Sequence, residues 1–299
     1  MVHPPRLEPP QRLVRNLGSA HPWLREVAAV ADDLIVRWQL RPVRLAAPGG
    51  RDSLVLLVEQ ADGAPAALKL SSLGPRRVAA EAAALTRWDG LGAVRLLRAD
   101  PDAGALLLER LQGEVSLRSL PEQKAALEAV SVLRRLWVPP GDHPFPTVAE
   151  HTGHAVETLF ATAPAELAPL VDEARTTRER LLADAGEGVL LHGDYRQGAV
   201  LAAPADRAPW LAVGPHPLVG DPAYDLARLA RDRLHDLVAS PGAAAQVRRR
   251  LRRLADSLDL DQERLRGWAR YRAVESGLRH LAAGDREDGE MLFEFAGWV

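Results

Sequence analysis

Whatever this chain folds into must accommodate residues 189–225. Val189, Leu190 and Leu191 form a short apolar run that delivers His192, Gly193 and Asp194 at its end. Val200–Ala202 and Trp210–Val213 read as two further short strands, with a turn over Ala203–Pro209 between them. Gly220-Asp221-Pro222-Ala223-Tyr224-Asp225 then opens a helical pattern. Asp225 has two structural uses open to it, capping that helix or tying down the backbone of the loop that carries Asp194. His192 is read as a brace for the same loop.

An acid at the mouth of a strand, ahead of a tight hairpin, is how kinase-type enzymes present a base. There a loop Asp accepts the proton of the substrate hydroxyl, an Asn five residues on holds Mg²⁺, and an Asp after the hairpin holds it again. Asp194 suits the first role. Ala199 stands five residues later and Gly214 follows the second strand. Neither carries a donor atom, so no metal ligand is assigned. Gln197, His216 and Asp221 are the only substitutes in view, and their fixed offsets tell against them.

Composition narrows the rest. With 299 residues, 47% of them apolar, and a net charge of −2, the chain reads as a globular protein with a large core. No apolar run approaches the roughly 18 residues that span a bilayer, and Met1–Pro10 lacks the apolar segment of a secretion signal. A cytoplasmic protein is expected. The absence of cysteine excludes disulfides, thiolate metal sites and a Cys nucleophile. Of 38 basic residues only Lys69 and Lys124 are Lys, the other 36 being Arg. Lys124 pairs with Glu128 along a helix. Lys69 ends an apolar strand and asks for a specific reason.

Along the chain, residues 1–20 are Pro-rich and read as irregular. Trp23, Val27, Val30, Leu34, Ile35 and Trp38 keep helical spacing over 23–40. Strands follow at Pro42–Ala46, Leu54–Glu59, Ala66–Leu70, Val94–Ala99 and Ala105–Glu109, with a helix at Arg77–Trp88. The rest is helical, over 121–137, 148–161, 164–185, 223–239, 243–257 and 262–282. A lobe of five strands and a helix thus precedes a mostly helical one, divided as 1–110 and 111–299.

Several features have competing readings. Lys69 on a strand and Glu81 on the next helix match the pair that positions nucleotide phosphates; the alternative is a surface Lys and a Glu favoured in a helix's first turn. Pro48-Gly49-Gly50-Arg51-Asp52-Ser53 offers backbone N–H groups to an anion, or is an ordinary hairpin turn. His151 and His154 lack a third ligand and read as helix surface. The Arg248–Arg253 run shares its helix with Val247, Leu251 and Leu254, so a solvated face is preferred to a nucleic-acid contact.

Taken in order, Trp23 to Arg37-Trp38, Ala67-Leu68-Lys69-Leu70, Glu81 to Leu85, Gly104 to Leu111, Leu190 to Asp194, Leu218 to Ala227 and Leu265 to Trp268 resemble the aminoglycoside and hydroxyurea phosphotransferases. The resemblance covers nearly the whole chain. It implies an α+β, bilobal protein-kinase-like fold, with a five-stranded antiparallel sheet and helix in the small lobe. It also implies ATP and Mg²⁺ as cofactors and a small polyhydroxylated acceptor in the helical lobe. Carried over by position, Lys69 and Glu81 would hold phosphates, the backbone of Glu109 and Leu111 would meet adenine, and Asp194 would be the catalytic base. The family pattern has Asn where this chain has Ala199, and Asp where it has Gly214.

Both departures fall on side chains that ligate the metal. Removing one oriented electrostatic stabiliser costs about 2.7–4 kcal/mol in the chemical step, so a rate loss of roughly a thousandfold or more is expected. The expectation is a pseudokinase that binds ATP weakly or without metal, with a small molecule or a regulatory protein as partner. The alternative is an active kinase of an aminoglycoside-like alcohol. A cationic acceptor would require an acidic pocket, for which Glu275 and Asp285 are the candidates. No nucleic-acid or membrane partner is expected.

Overall fold

A computed structural model describes residues 8–47, 49–204 and 207–299. The start of the Pro-rich stretch, Pro48 of the Gly-Gly loop and the tip of the 203–209 turn lie outside them. Two compact units emerge: the described residues up to Ala125 together with Gly198–Gly214, and Ala126–Gln197 together with Pro215–Val299.

The first unit opens with helices α1 (Gln11–Leu17) and α2 (Trp23–Arg37). The first of these falls where an irregular segment was expected. The second ends three residues early, because Gln39 turns left-handed at φ 55°. The Leu40 and Gln39 N–H groups then donate to Ile35 and Val36, which closes the helix in a Schellman arrangement. Strands β1 (Arg41–Leu45), β2 (Ser53–Glu59), β3 (Pro65–Ser71), β4 (Leu96–Asp100) and β5 (Ala105–Glu109) form one antiparallel sheet in the order β1-β2-β3-β5-β4. Period-two alternation decides its faces. Leu54, Leu56, Val58, Ala66, Leu68, Leu70, Ala105 and Leu107 are buried with Leu13, Val27, Ala31 and Leu34 of the two helices. The opposite face carries Lys69, in register with Val55 on one side and Leu106 on the other.

Helix α3 (Pro75–Trp88) lies between β3 and β4 in the chain, with Pro75 at its first position. Strand β6 (Gln112–Ser116) follows the sheet, at residues the sequence reading left unassigned. The second unit begins within α4 (Glu122–Leu136) and continues through α5 (Val148–Ala155), α6 (Ala168–Ala183) and β7 (Val189–Leu191). The chain then returns to the first unit as β8 (Val200–Ala202) and β9 (Trp210–Ala212), which extend β6 into a three-stranded sheet. The hairpin belongs with the first unit through this pairing.

Strand β10 (Leu218–Gly220) pairs antiparallel with β7. The single helix expected over 223–239 is two, α7 (Pro222–Ala230) and α8 (Leu234–Val238), broken where Arg233 adopts φ 56°. Helices α9 (Ala243–Leu258), α10 (Gln262–Ala282) and α11 (Arg286–Trp298) complete the unit. The last was not anticipated. It packs closely on α10, with the Phe293 ring against Gly277. No described helix is long and apolar enough to cross a membrane.

Candidate active site

Lys69 and Glu81 meet. The Lys69 Nζ lies 2.7 Å from both carboxylate oxygens of Glu81, and the two side chains are only 13% and 8% exposed. The helix-dipole reading of Glu81 fails. Because α3 starts at Pro75, its first turn holds no acid and Glu81 sits a turn further in. A strand Lys facing a buried helix Glu is a preformed cation of fixed position, suited to an anionic ligand. The neighbouring Gly-rich turn is pinned, since the Ser72 N–H and hydroxyl both donate to the Asp52 carbonyl at 2.9 Å.

Glu109 and Leu111 lie at the exit of β5. The Glu109 N–H donates to the Arg95 carbonyl (3.0 Å), and its carboxylate accepts the Arg95 N–H (2.7 Å) and pairs with Arg207. The Glu109 side chain is therefore a fastening between segments. Leu111 packs on Ala203, Ala208 and Leu211, and its carbonyl accepts the Gly113 N–H at 3.0 Å. Beside it opens a cavity of about 310 Å³, lined by Ala46, Ala47, Leu57, Leu111 and Gly113 among others. Arg44 and Glu114, also in its wall, pair at 2.7 Å. Its lining is of mixed polarity, with Arg110 and Gln112 beside the apolar side chains.

In the second unit, β7 delivers the loop of Asp194, and buried groups hold its backbone. The Asp225 carboxylate accepts the N–H groups of His192 and Gly193, each at 2.7 Å. Burial pushes the Asp225 carboxyl up to about 6, against Arg272 and those two N–H groups, which favour its charge. Tying down the loop is thus its role; Asp221 caps α7 instead, accepting the Ala223 N–H at 2.9 Å. Gly193 has φ 79°, and a Cβ there would lie 1.9 Å from the His216 carbonyl oxygen, so only glycine fits. Arg272 donates to the Gly193 carbonyl (2.8 Å) and to that of Tyr224 (2.9 Å). His192 is fully buried, edge-on to Tyr195, whose hydroxyl donates to the Ala129 carbonyl at 2.7 Å.

Asp194 itself is 30% exposed and is held between two guanidiniums. Arg196 Nε stands 3.0 Å from one carboxylate oxygen and Arg228 Nε 3.4 Å from the other. Burial would raise its pKa, but Arg228, then Arg196 and His216, outweigh burial and keep the carboxyl well below the usual carboxylate range. Arg228 also lies 3.6 Å from Asp232, which accepts the Gln197 N–H at 2.5 Å. The Gln197 side-chain oxygen in turn accepts from Arg233 at 2.9 Å. Arg196, Arg228, Asp232 and Arg233 were not singled out from the sequence. The available signal was spacing: Arg228 falls three residues after Asp225, on the same face of α7.

The sequence profile of the family described as "Aminoglycoside/hydroxyurea antibiotic resistance kinase" matches residues 37–284. The chain belongs to that family. It is 35% identical over 282 residues to a streptomycin 6-kinase of Streptomyces glaucescens, covering 91% of this chain and 87% of the relative. It is 37% identical over 267 residues to a hydroxyurea phosphotransferase of Kitasatospora aureofaciens, covering 87% and 73%. A thermostable mutant of aminoglycoside phosphotransferase APH(4)-Ia, solved with AMP-PNP and hygromycin B, superposes with a TM-score of 0.62 at 17% identity, covering 90% of this chain and 97% of that one. The α+β fold is therefore protein-kinase-like.

Against the pattern expected for this kinase family, the residues present do not fit a magnesium ion. Ala199 is 5% exposed, and its carbonyl accepts the Val213 N–H at 2.9 Å. Gly214 has φ 65° and open space where a side chain would stand. Two of the proposed substitutes, Gln197 and Asp221, are engaged elsewhere. Gln197 is buried between Asp232 and Arg233, and the Asp221 carboxylate accepts from Trp268 Nε1 (2.7 Å) and pairs with Arg264. No group of three or more His, Cys, Asp or Glu among the described residues is placed to hold a metal ion. The acidic candidates for a cationic acceptor differ in exposure, Asp285 being the open one. Glu275 is buried and paired with Arg279 at 2.8 Å, and Asp285 lies 3.5 Å from His280.

Proposed function

We propose that this chain is a pseudokinase of its family, a nucleotide-binding protein in which magnesium-dependent phosphoryl transfer is lost or reduced to a trace. The observation that carries this reading is the side-chain chemistry at two positions, a methyl group at Ala199 and a hydrogen at Gly214. The nucleotide-handling parts support the binding half. Lys69 and Glu81 are paired and poised for phosphates, the cavity of about 310 Å³ beside Leu111 has room for an adenine ring, and the APH(4)-Ia structure was solved with AMP-PNP. Asp194 is the candidate base.

Calorimetric titration of ATP with magnesium and with excess EDTA tests the reading, together with turnover assays on streptomycin and other aminocyclitols. Binding that is weak and indifferent to magnesium, with no turnover, is expected. Tight magnesium-dependent binding with product formation overturns it.

A second reading, an active small-molecule kinase, is favoured by the intact Lys69–Glu81 pair and by the 35% identity to a streptomycin 6-kinase. It requires metal ligands that stand outside the family pattern. The same titration decides between the two.

A further inference from the structure

The charges around Asp194 point to a ligand class. Arg228 feels Asp194, Asp232, Arg196 and Arg272, and Arg231 feels Arg228, Arg272, Glu275 and Asp194. Arg233 joins them through Gln197. With Asp225 at the loop backbone, these are five guanidiniums against four carboxylates, Asp194, Asp225, Asp232 and Glu275. The surroundings of Asp194 thus carry a formal net positive charge. A divalent cation is repelled by such a site, and so is a polycationic acceptor.

Donor capacity is also in surplus. Arg196 makes one hydrogen bond, from Nε to Asp194, and none is found from its terminal nitrogens among the described residues. It is 32% exposed, so those nitrogens face solvent. Arg228 approaches Asp194 and Asp232 only at 3.4 and 3.6 Å, beyond good hydrogen-bond distance. Deeper in, the terminal nitrogens of Arg231 and Arg272 are taken up by Ser276 and by backbone carbonyls, so the surplus lies with Arg196 and Arg228. Guanidiniums with free forks match phosphate oxygens bidentately.

We propose that the Asp194 loop receives an anionic, phosphate-bearing group through Arg196 and Arg228, without a divalent cation, and excludes polycationic acceptors such as streptomycin. This rests on the reading that the chain holds no magnesium, and it adds the class of ligand that the Asp194 loop takes. A nucleotide tail and a separate phosphorylated small molecule present the same oxyanion.

Calorimetry in excess EDTA with pyrophosphate, ATP, adenosine and streptomycin tests the proposal on the full chain, beside Arg196→Gln and Arg228→Gln. Pyrophosphate is expected to bind, to weaken as salt rises, and to lose about tenfold or more in affinity in each variant; streptomycin is expected not to bind. ATP binding much more tightly than pyrophosphate assigns the group to a nucleotide, and equal binding assigns it to a free phosphorylated molecule; both support the proposal. Arg196 is a third exposed, so its variant keeps the test sound should Arg228→Gln not fold. Pyrophosphate that fails to bind, or binds unchanged in a folded Arg196→Gln, overturns the proposal and leaves the pseudokinase reading standing. Tight streptomycin binding also overturns it. Pyrophosphate binding that demands magnesium overturns both.

Discussion

Replacing Asp225 by asparagine tests how the loop before Asp194 is fastened. The fully buried Asp225 carboxylate accepts two loop N–H groups at 2.7 Å each, yet burial pushes its carboxyl from the ordinary 3.8 up to about 6. Burial therefore outweighs those bonds and Arg272 together. A raised folded-state value means that the native protein binds this proton more tightly than the unfolded chain. The stabilisation is fully present below the ordinary value and is lost as pH rises through about 6. Two pH units correspond to about 3 kcal/mol. Asp194 works with the opposite sign. Its carboxyl is held low, so its contribution is present above the ordinary carboxylate value and declines only in stronger acid, outside this window. Urea unfolding of the parent and of Asp225→Asn, run side by side from about pH 7.5 to about pH 4, should show the parent gaining about 3 kcal/mol relative to the variant, mostly below pH 6. A difference that stays constant with pH, or that grows in the variant's favour, refutes the reasoning.

Gly193→Ala places a Cβ 1.9 Å from the His216 carbonyl oxygen at φ 79°, and should cost about 3 kcal/mol or more in thermal unfolding; a loss under about 1 kcal/mol would show that the turn relaxes easily. Lys69→Met leaves the Glu81 carboxylate 8% exposed and unpaired, so about 3–5 kcal/mol should be lost and largely recovered in Lys69→Met/Glu81→Leu; equal stability of the two variants would contradict this. Asp221→Ala removes the cap of α7 and the acceptor for Trp268 and Arg264. A loss of about 2–4 kcal/mol is expected in denaturant unfolding, and an unchanged midpoint would argue against it.

The strands were legible because a short apolar run is a local signal. Ala105–Glu109 and Val189–Leu191 fall where the apolar runs placed them, and the Lys69–Glu81 pair followed from one strand and one helix. Elements stabilised from a distance were not legible. Strand β6, Gln112–Ser116, carries a Gly and a Glu and is mostly exposed; it exists because β8 pairs with it from far along the chain. Helix α11 depends on the small residues Gly277 and Gly289, which let α10 approach. The break between α7 and α8 needs φ 56° at Arg233, a residue with no turn signature. At the site, what is missing could be read directly, since Ala199 and Gly214 are single letters against a pattern. The surroundings of Asp194 could not, because Arg196 and Arg228 are ordinary arginines among 36 until folding brings both to one carboxylate, with Arg233 on Gln197 nearby.

That gathering changes what repair of the site would take. Ala199→Asn with Gly214→Asp returns both donor side chains, and the second is sterically free: nothing stands within 4 Å of a Cβ at Gly214, and Asp tolerates a left-handed backbone. Yet Asp194 already accepts a hydrogen bond from Arg196 on one oxygen, and Arg228 stands 3.4 Å from the other. A hydroxyl seeking that base must compete with Arg196 for it, beside the charge of Arg228. The double variant alone should therefore give little metal-dependent ATP hydrolysis. Adding Arg196→Gln frees one carboxylate oxygen and removes one positive charge, and should raise that hydrolysis about tenfold or more over the double variant. Single-turnover assays with and without magnesium measure it. Full restoration by the double variant, with no further gain from Arg196→Gln, would show that the arginines are bystanders and that the two missing ligands are the whole lesion.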